Sequence, residues 1–427
     1  MTDRSLWRNR EFMLLWLAQA ISQTAQNAVN YGIMVLVQTR SNSSVHMSVA
    51  VMTMILPSVI FGLVAGAYVD RRDKRWVLIG TNVLRAIATL GYVVFTEYLG
   101  LVYLTNFIFS TISQFFAPAE VAMIPAIVER RRLIQANSLF HLTFTAAQLG
   151  GLVFLGPLVV NLVGSDGLFG LVAVSLALCA ALLWPLPSTR RRVQDKVEGF
   201  AALWGEVREV LSFIHADRIV SWAMVHWTLG ATLAIVMAML APGFVVNVLG
   251  IRAENSVFVL APAGVGMLLG TTVLSRWGQG LDRHRLTNGG LVTIGLGLSS
   301  LSFVGSLRES FHPGSPPGGI ELAVVMATAL VTGLAFVSVV VPAQTIIQER
   351  APVDVRGRVF AVQLVMSNVV GVAPLLFLGE LADLAGVDWT LLVLGLLVLG
   401  AGLISGVLAT SARLARYQAS AEPGSAA

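Results

Sequence analysis

The sequence contains little charge. Only 12% of its 427 residues are Asp, Glu, Lys or Arg, whereas 56% are hydrophobic, and the mean hydropathy is +0.78. An ordinary soluble domain carries about 25% charged residues. Because a soluble core of this length cannot bury so much apolar surface, the composition predicts an integral membrane protein.

Other absences exclude whole classes of function. The one cysteine, Cys179, lies in an apolar run, so no intrachain disulfide or thiolate metal site can form. The histidines show no metal-ligand spacing, and no nucleotide-binding motif is present. We therefore expect no metal, no cofactor and no nucleic-acid partner. A membrane-embedded enzyme is disfavoured, since the polar group formed by His215, Asp217 and Arg218 is too small a cluster to carry catalysis.

Long apolar runs fill the rest of the chain. A bilayer core needs about 20 apolar residues per helix, and the runs are too long and too little alternating for barrel strands. The sequence therefore predicts an all-α membrane protein with twelve transmembrane helices. The predicted spans are 12–37, 47–69, 76–97, 100–128, 136–163, 167–186, 219–250, 255–275, 286–307, 320–347, 359–384 and 388–410.

The basic residues predict the orientation of these spans. With the N-terminus in the cytoplasm, only three of the 28 lysines and arginines fall on the outer side, and Arg85 lies within a span. Cytoplasmic loops of membrane proteins are enriched in basic residues. We therefore expect both termini in the cytoplasm, and we interpret the first apolar run as a retained span rather than a cleaved signal peptide.

The longest polar stretch divides the chain. Residues 187–218 are predicted to be a cytoplasmic linker whose amphipathic helix lies on the membrane surface. Its apolar residues recur every three or four positions: Phe200, Leu203, Trp204, Val207, Leu211 and Ile214. The expected domains are residues 1–186, a six-helix bundle; 219–414, a second six-helix bundle; and 415–427, a disordered tail.

The two halves share a local pattern. Pro118-Ala119 precedes Glu129-Arg130 at the end of the fourth span, and Pro342-Ala343 precedes Glu349-Arg350 at the end of the tenth. Two sets of six spans in the same orientation indicate a parallel repeat about an axis normal to the membrane. The halves are therefore expected to be related by pseudo-two-fold symmetry.

The short turn between the second and third spans carries the most specific motif. It begins at Gly66 and contains Asp70, Arg71, Lys74 and Arg75. This turn resembles that of the major facilitator superfamily, with Asp73 in place of the second glycine. The resemblance implies a fold of two six-helix bundles and a latch in which Asp70 meets the start of the eleventh span, beside Arg356 and Arg358. The alternative is a basic turn that only fixes orientation.

The glycine of this motif has a simple physical interpretation. Gly66 lets the second helix pack closely against a neighbour, because it has no side chain. An anionic Asp70 suits the exposed amides at a helix N-terminus. A contact that forms in one conformation and breaks in another is what alternating access requires.

The passage from Pro118 to Leu139 is similar to the branch of macrolide-efflux proteins and enterobactin exporters, although the fourth span lacks the arginine common in the family. This resemblance implies a monomeric secondary exporter of amphipathic organic compounds in a bacterial inner membrane, surrounded by lipid and coupled to protons. The alternatives are a siderophore exporter, a lysophospholipid transporter or, from another class, a non-transporting sensor.

Polar side chains within the spans are the candidates for a substrate cavity. The first span carries an amide stripe that either faces water or bonds to another helix: Gln19, Gln23, Gln26, Asn27 and Asn30. Shorter sets lie in spans four, five and seven: Asn106, Gln114, His141, Thr145, Gln148, Trp222 and His226.

Three ionisable groups are candidates for proton coupling. His226 titrates near neutral pH when unperturbed, although it is also a candidate packing residue. Glu120 is placed either to pair with Arg85 or, if unpaired, to carry a proton.

Overall fold

The computed structural model describes residues 6–129, 132–189, 208, 211–277, 282–311, 318–351 and 356–421. The regular elements in these ranges are helices, and no strand occurs among them. The long helices are α1 (Arg10–Ser41), α2 (Ser44–Asp70), α3 (Lys74–Val94), α4 (Leu99–Ile127), α5 (Leu133–Leu149), α6 (Gly156–Leu183), α7 (Arg218–Gly243), α8 (Val257–Trp277), α9 (Arg283–Phe311), α10 (Gly319–Arg350), α11 (Arg356–Ala385) and α12 (Val387–Ala421).

The predicted fold class, an all-α membrane protein, is confirmed. Ten helical stretches of the described residues are long and apolar enough to cross a membrane. One of them, Gln135–Leu183, runs over most of α5 and all of α6, and α1 is not among the ten. The amides of α1 lower its hydropathy, which explains why it falls below the others. The count of twelve spanning helices stays a prediction.

Helix ends follow the capping residues in the sequence. Asn9 caps α1 by accepting a hydrogen bond from the Phe12 amide, and Ser43 caps α2 through the His46 amide. Asp217 caps α7 by accepting from the amides of Ile219 and Val220. Short polar side chains at this position satisfy amides that have no partner inside the helix.

The fifth and sixth predicted spans are continuous in helical structure but not straight. A π-helical segment, Gly150–Leu155, joins α5 to α6. Within α6 the helical conformation breaks at Gly164, which has a φ of 75°. Only glycine adopts such a φ at little steric cost. The predicted spans 136–163 and 167–186 are thus separated at this glycine.

The chain forms two compact units. The first comprises Met1–Glu198 together with Arg252–Val257, and the second comprises Gly199–Ile251 and Phe258–Ala427. In the first unit the short segment before α8 packs beside α1, where the Tyr31 hydroxyl donates to the Glu254 carbonyl at 2.7 Å. The predicted domain boundaries stay predictions.

In the first unit α1 packs on α5 and α6, while α2 and α3 both pack on α4. Two glycines of the π-helical junction allow the close approach of α1. A Cβ on Gly151 would lie 2.4 Å from the Thr24 carbonyl oxygen, and one on Gly156 would lie 2.9 Å from Tyr31 Cβ. Small residues are the usual means of close helix packing in membranes.

In the second unit α9 packs on α10 and α12, and α7 packs on α10 and α11. Gly295 of α9 and Gly395 of α12 meet, since a Cβ on Gly295 would lie 2.7 Å from the Gly395 carbonyl oxygen.

The end of the predicted linker belongs to the core of the second unit. Residues 211–216 are helical, and Ile214 is buried against Val220 and Ile347. Ile214 therefore has apolar partners inside the protein, and the place of the helix on the membrane surface stays a prediction. Leu211 is exposed. The remaining predicted apolar residues of this helix lie outside the described residues: Phe200, Leu203, Trp204 and Val207.

Candidate functional site

The amide stripe of α1 divides into two sets. Gln19 is buried, and its Nε2 donates to the Phe140 carbonyl at 3.3 Å, leaving Oε1 without a partner. The Gln26 Oε1 accepts a hydrogen bond from the Ser113 hydroxyl of α4 at 2.9 Å. These two amides therefore join helices of the first unit.

The second set of α1 amides is half-buried. Asn27 Nδ2 donates to the Gln23 carbonyl of its own helix at 2.8 Å, and Gln23 and Asn30 are likewise half-buried. A local bond of this kind leaves the amide oxygen of Asn27 with unused acceptor capacity.

The other polar candidates of the first unit differ in their surroundings. Asn106 is buried, and its amide donates to Thr53 Oγ1 at 2.8 Å and accepts from the Tyr92 hydroxyl at 3.0 Å. These bonds join α2, α3 and α4, which makes Asn106 a packing residue. Gln114 donates to the Ser110 carbonyl at 3.3 Å, and Gln148 is exposed. The side chains of His141 and Thr145, both in α5, lie outside the described residues.

Arg85 is fully enclosed by the first unit, with 2% of its surface exposed. Its Nη2 donates to Ser22 Oγ at 2.7 Å and to Asn82 Oδ1 at 2.8 Å. The guanidinium also lies 4.5 Å from the centroid of the Phe116 ring. Two neutral oxygens and the face of an aromatic ring thus stabilise the guanidinium charge. The Nε atom has no hydrogen-bond partner.

Glu120 of α4 is buried in the same region, and its Oε1 has no hydrogen-bond partner. The two charges attract each other electrostatically, but no ion pair within 4 Å joins them among the described residues. The predicted direct pair is therefore wrong, because Ser22 and Asn82 hold the guanidinium.

His226 lies in an aromatic cluster of the second unit. Its ring is 4.1 Å from that of Trp222, which in turn is 4.2 Å from His284. Nδ1 contacts the Trp222 carbonyl at 2.8 Å, and Nε2 contacts Ser405 Oγ at 3.1 Å. Both ring nitrogens are thus occupied, as expected of a packing histidine.

The turn between α2 and α3 shows why Asp73 replaces a glycine. Asp73 is the N-cap of α3 and accepts from the Arg75 amide at 3.1 Å. It also accepts from the Ser188 hydroxyl and from the Thr189 amide at the end of the first bundle. Burial works against its charge, but these hydrogen bonds hold the pKa of the Asp73 carboxyl below its usual value.

The other residues of the predicted latch are only partly described. A Cβ on Gly66 would meet no atom within 4 Å, so the structure shows no close packing at this glycine among the described residues, and its predicted role stays a prediction. Arg71 is exposed, and Lys74 Nζ donates to the Arg72 carbonyl at 3.0 Å. Arg75 lies over Trp76 and Trp184. The side chains of Asp70, Arg356 and Arg358 lie outside the described residues, so the latch stays a prediction.

Several residues of these clusters were not identified from the sequence: Ser22, Asn82, His284, Ser405, Ser188 and Thr189. Their partners are distant in the chain, and serine or threonine is common in membrane helices. Of the residues in these clusters, Asp73 alone has a role that the sequence could have indicated, because an aspartate directly before a helical run is a typical N-cap.

The comparison with protein families decides the identity of the fold. The model of the Major Facilitator Superfamily matches residues 15–374. The chain belongs to this superfamily. It is thus a member of a family of multi-pass membrane transporters, and its curated relatives include bacterial ones.

Three further similarities accompany the family match. It is 24% identical to the uncharacterized transporter YfiS of Bacillus subtilis, covering 97% of both chains. It is 23% identical to macrolide efflux protein A of Streptococcus pyogenes, covering 91% of this chain and 93% of the relative. A solved bacterial homolog of the human lysosomal transporter Spinster superposes with a TM-score of 0.72 at 11% identity, covering 96% and 98% of the two chains.

Proposed function

We propose that this major facilitator protein exports amphipathic organic compounds from a bacterial cytoplasm by alternating access, in exchange for protons. The observation that carries the proposal is its similarity, over nearly the whole chain, to a macrolide efflux protein. Both termini are proposed to lie in the cytoplasm, and the monomer is proposed to be the working unit. No nucleotide-binding motif is present in the sequence, so an ion gradient is the expected energy source.

The proposed substrate-facing residues are the half-buried amides of α1: Gln23, Asn27 and Asn30. Neutral amides supply both donors and acceptors without fixed charge. Such groups suit large neutral or weakly charged molecules, which bind through apolar surfaces and a few polar contacts. Gln148 and Gln114 are proposed as secondary contacts.

We propose Glu120 as the group that exchanges the proton. Burying a carboxylate that has no hydrogen-bond partner costs far more free energy than burying the neutral acid. The charge of Arg85, held by Ser22 and Asn82, stabilises the carboxylate from a distance. His226 is a weaker candidate because both of its ring nitrogens have partners.

The latch between Asp70 and the start of α11 is proposed to stabilise one state of the cycle. Asp70 ends α2 and Arg356 begins α11. Loss of the charge at Asp70 is expected to slow transport without unfolding the protein.

The first test is resistance of an efflux-deficient bacterium to macrolides and amphipathic dyes. Cells producing the wild-type chain, Gln23→Leu, Asp70→Asn or Glu120→Gln are compared at equal membrane expression. The matched control is Gln135→Leu, which removes an exposed amide at the start of α5. We expect resistance from the wild type and the control, and at least partial loss in the other three.

Two results would contradict the proposal. Absence of resistance to every compound, with the protein present in the membrane, would favour a siderophore or lipid substrate. Equal resistance with Glu120→Gln, together with unchanged proton flux in vesicles, would exclude Glu120 from coupling.

A further inference from the structure

A groove runs along the outside of the first unit. Its mouth includes Arg71 of the predicted latch turn, whereas neither the amides of α1 nor Glu120 line it. It has a volume of about 920 Å³. Side chains from α2, α3 and α4 line it, with Arg71, Arg72, Asp73 and Ser188 at one end and Phe61, Leu84 and Ile112 farther along. Its polar end is the α2–α3 turn.

The packing of three helices creates this groove. α2 and α3 both pack extensively on α4, but they touch each other little beyond the turn that joins them. α4 therefore forms the floor, and α2 and α3 form the walls. The groove opens toward the surroundings, because Val64 and Leu84 are 56% and 52% exposed.

The length of the groove matches one leaflet of a bilayer. The lining begins at Phe61 on α2 and reaches Leu84 on α3, with Arg71, Arg72 and Asp73 in the turn between the two helices. The nine residue steps from Phe61 to the end of α2 and the ten from the start of α3 to Leu84 rise roughly 14–15 Å. The apolar core of one leaflet is about half of the ~30 Å hydrocarbon thickness.

The chemistry changes along the groove as it does along a phospholipid. The deep part is lined by apolar side chains, among them Phe61, Ile112 and Phe115. Tyr68 and Trp76 follow, and both are about half exposed. Such aromatic residues prefer the membrane–water interface. The exposed Arg71 and Arg72 lie at the mouth.

The mouth favours an anion although it contains Asp73. That carboxylate accepts hydrogen bonds from the Ser188 hydroxyl and from the amides of Thr189 and Arg75. The Arg72 guanidinium lies 5.5 Å from the centroid of the Tyr68 ring, at the interface level. The two guanidinium groups of Arg71 and Arg72 outweigh the single carboxylate of Asp73, so these three side chains give the mouth a net positive charge.

We propose that this groove binds one anionic diacyl phospholipid of the bilayer. The phosphate lies between Arg71 and Arg72, and the acyl chains lie against α4 between the walls formed by α2 and α3. By the positive-inside rule this is the cytoplasmic leaflet. The lipid is a bound component of the protein and is distinct from the exported substrate.

Native mass spectrometry of the purified full-length chain tests the proposal. Phosphatidylglycerol and phosphatidylcholine with identical acyl chains are titrated separately, and the first bound lipid is counted. We expect the wild type to prefer phosphatidylglycerol. The double variant Arg71→Gln/Arg72→Gln should bind it roughly 30-fold more weakly, as two basic contacts to an anionic lipid imply.

The matched charge control is Arg8→Gln/Arg10→Gln, which removes two exposed arginines of the same unit outside the groove. It should bind like the wild type. A second pair of variants tests the location. A Cβ on Gly80, which lines the groove, or on Gly62, which does not, meets no atom within 4 Å. Gly80→Leu should weaken binding at least severalfold, whereas Gly62→Leu should not.

Three results would overturn the proposal. Equal affinity for the two lipids would show that Arg71 and Arg72 do not select an anionic headgroup. Wild-type binding by both Gly80→Leu and the double arginine variant would place the lipid elsewhere. Displacement of the lipid by excess glycerol phosphate would mean that the mouth binds a soluble phosphate rather than a membrane lipid. Each variant is first checked for a single folded species by size-exclusion chromatography.

Discussion

Asp73 and Thr189 join two segments that lie 116 residues apart, with the Thr189 amide donating to Asp73 Oδ1 at 3.2 Å. The same carboxylate caps α3. One side chain therefore fixes the α2–α3 turn and the point at which the chain leaves α6. Ser188 completes the contact through its hydroxyl.

Replacing Asp73 by alanine should destabilise the protein. Loss of a helix N-cap costs about 0.5–2 kcal/mol, and the contacts to Ser188 and Thr189 are lost as well. We expect a lower melting temperature in detergent, measured by fluorescence-detected size-exclusion chromatography after heating. Asp166→Ala, at an exposed aspartate of the same unit, is the control and should melt like the wild type. Equal melting of both variants would show that the contact is not stabilising.

The contribution of the Asp73 charge should depend on pH in a defined direction. The folded pKa lies below the usual value, so the carboxylate stabilises the fold above the unfolded pKa of about 3.9. This stabilisation declines as the pH falls through the folded pKa. The difference in melting temperature between the wild type and Asp73→Asn should be larger at pH 7 than at pH 3.5. A constant difference would mean that the shape of the side chain, and not its charge, is responsible.

Two neighbouring glycines provide a matched test of the α1–α5 contact. A Cβ on Gly151 would lie 2.4 Å from the Thr24 carbonyl oxygen, whereas a Cβ on Gly150 would meet no atom within 4 Å. We expect Gly151→Val to lower the yield of folded protein severely and Gly150→Val to have a small effect. The amount of monodisperse protein per cell is the measurement. Equal yields would show that α1 can move away from the junction.

The charges of Arg85 and Glu120 should be coupled without direct contact. Removing Arg85 leaves a buried carboxyl without its nearby positive charge, and removing Glu120 has the converse effect. A double-mutant cycle of Arg85→Met, Glu120→Gln and the double variant should give a coupling free energy of about 0.5–3 kcal/mol. The melting temperatures of the four proteins, converted with the entropy of unfolding, supply this value. Additive effects would show that Glu120 does not contribute to the stabilisation of the guanidinium, which Ser22, Asn82 and Phe116 would then supply.

The fold was largely predictable because hydrophobic length is a strong signal. The predicted turn between residues 69 and 76 agrees with the observed ends of α2 and α3 at Asp70 and Lys74. The break at Gly164 falls in the three-residue gap between the predicted spans 136–163 and 167–186. The π-helical segment before it has no recognisable sequence pattern.

The candidate site was less predictable, because helical periodicity indicates on which face of a helix a residue lies but not which residue of another helix it contacts. The spacing of the α1 amides predicts one polar face of that helix. Only the structure separates Gln26, bonded to Ser113, from the half-buried Gln23. The partners of Arg85 were missed for the same reason, since a serine on α1 gives no sign of which helix it will meet.

The break at Gly164 has a consequence for experiments that use a protease or an antibody at this end of α5 and α6. The chain passes from one helical stretch to the next around a single glycine of non-helical conformation. A protease needs several residues of extended chain, and an antibody needs a protruding surface. With both termini in the cytoplasm, as proposed, this end of α5 and α6 lies outside the cell. It should therefore resist proteolysis in intact cells and be a poor place for an epitope tag.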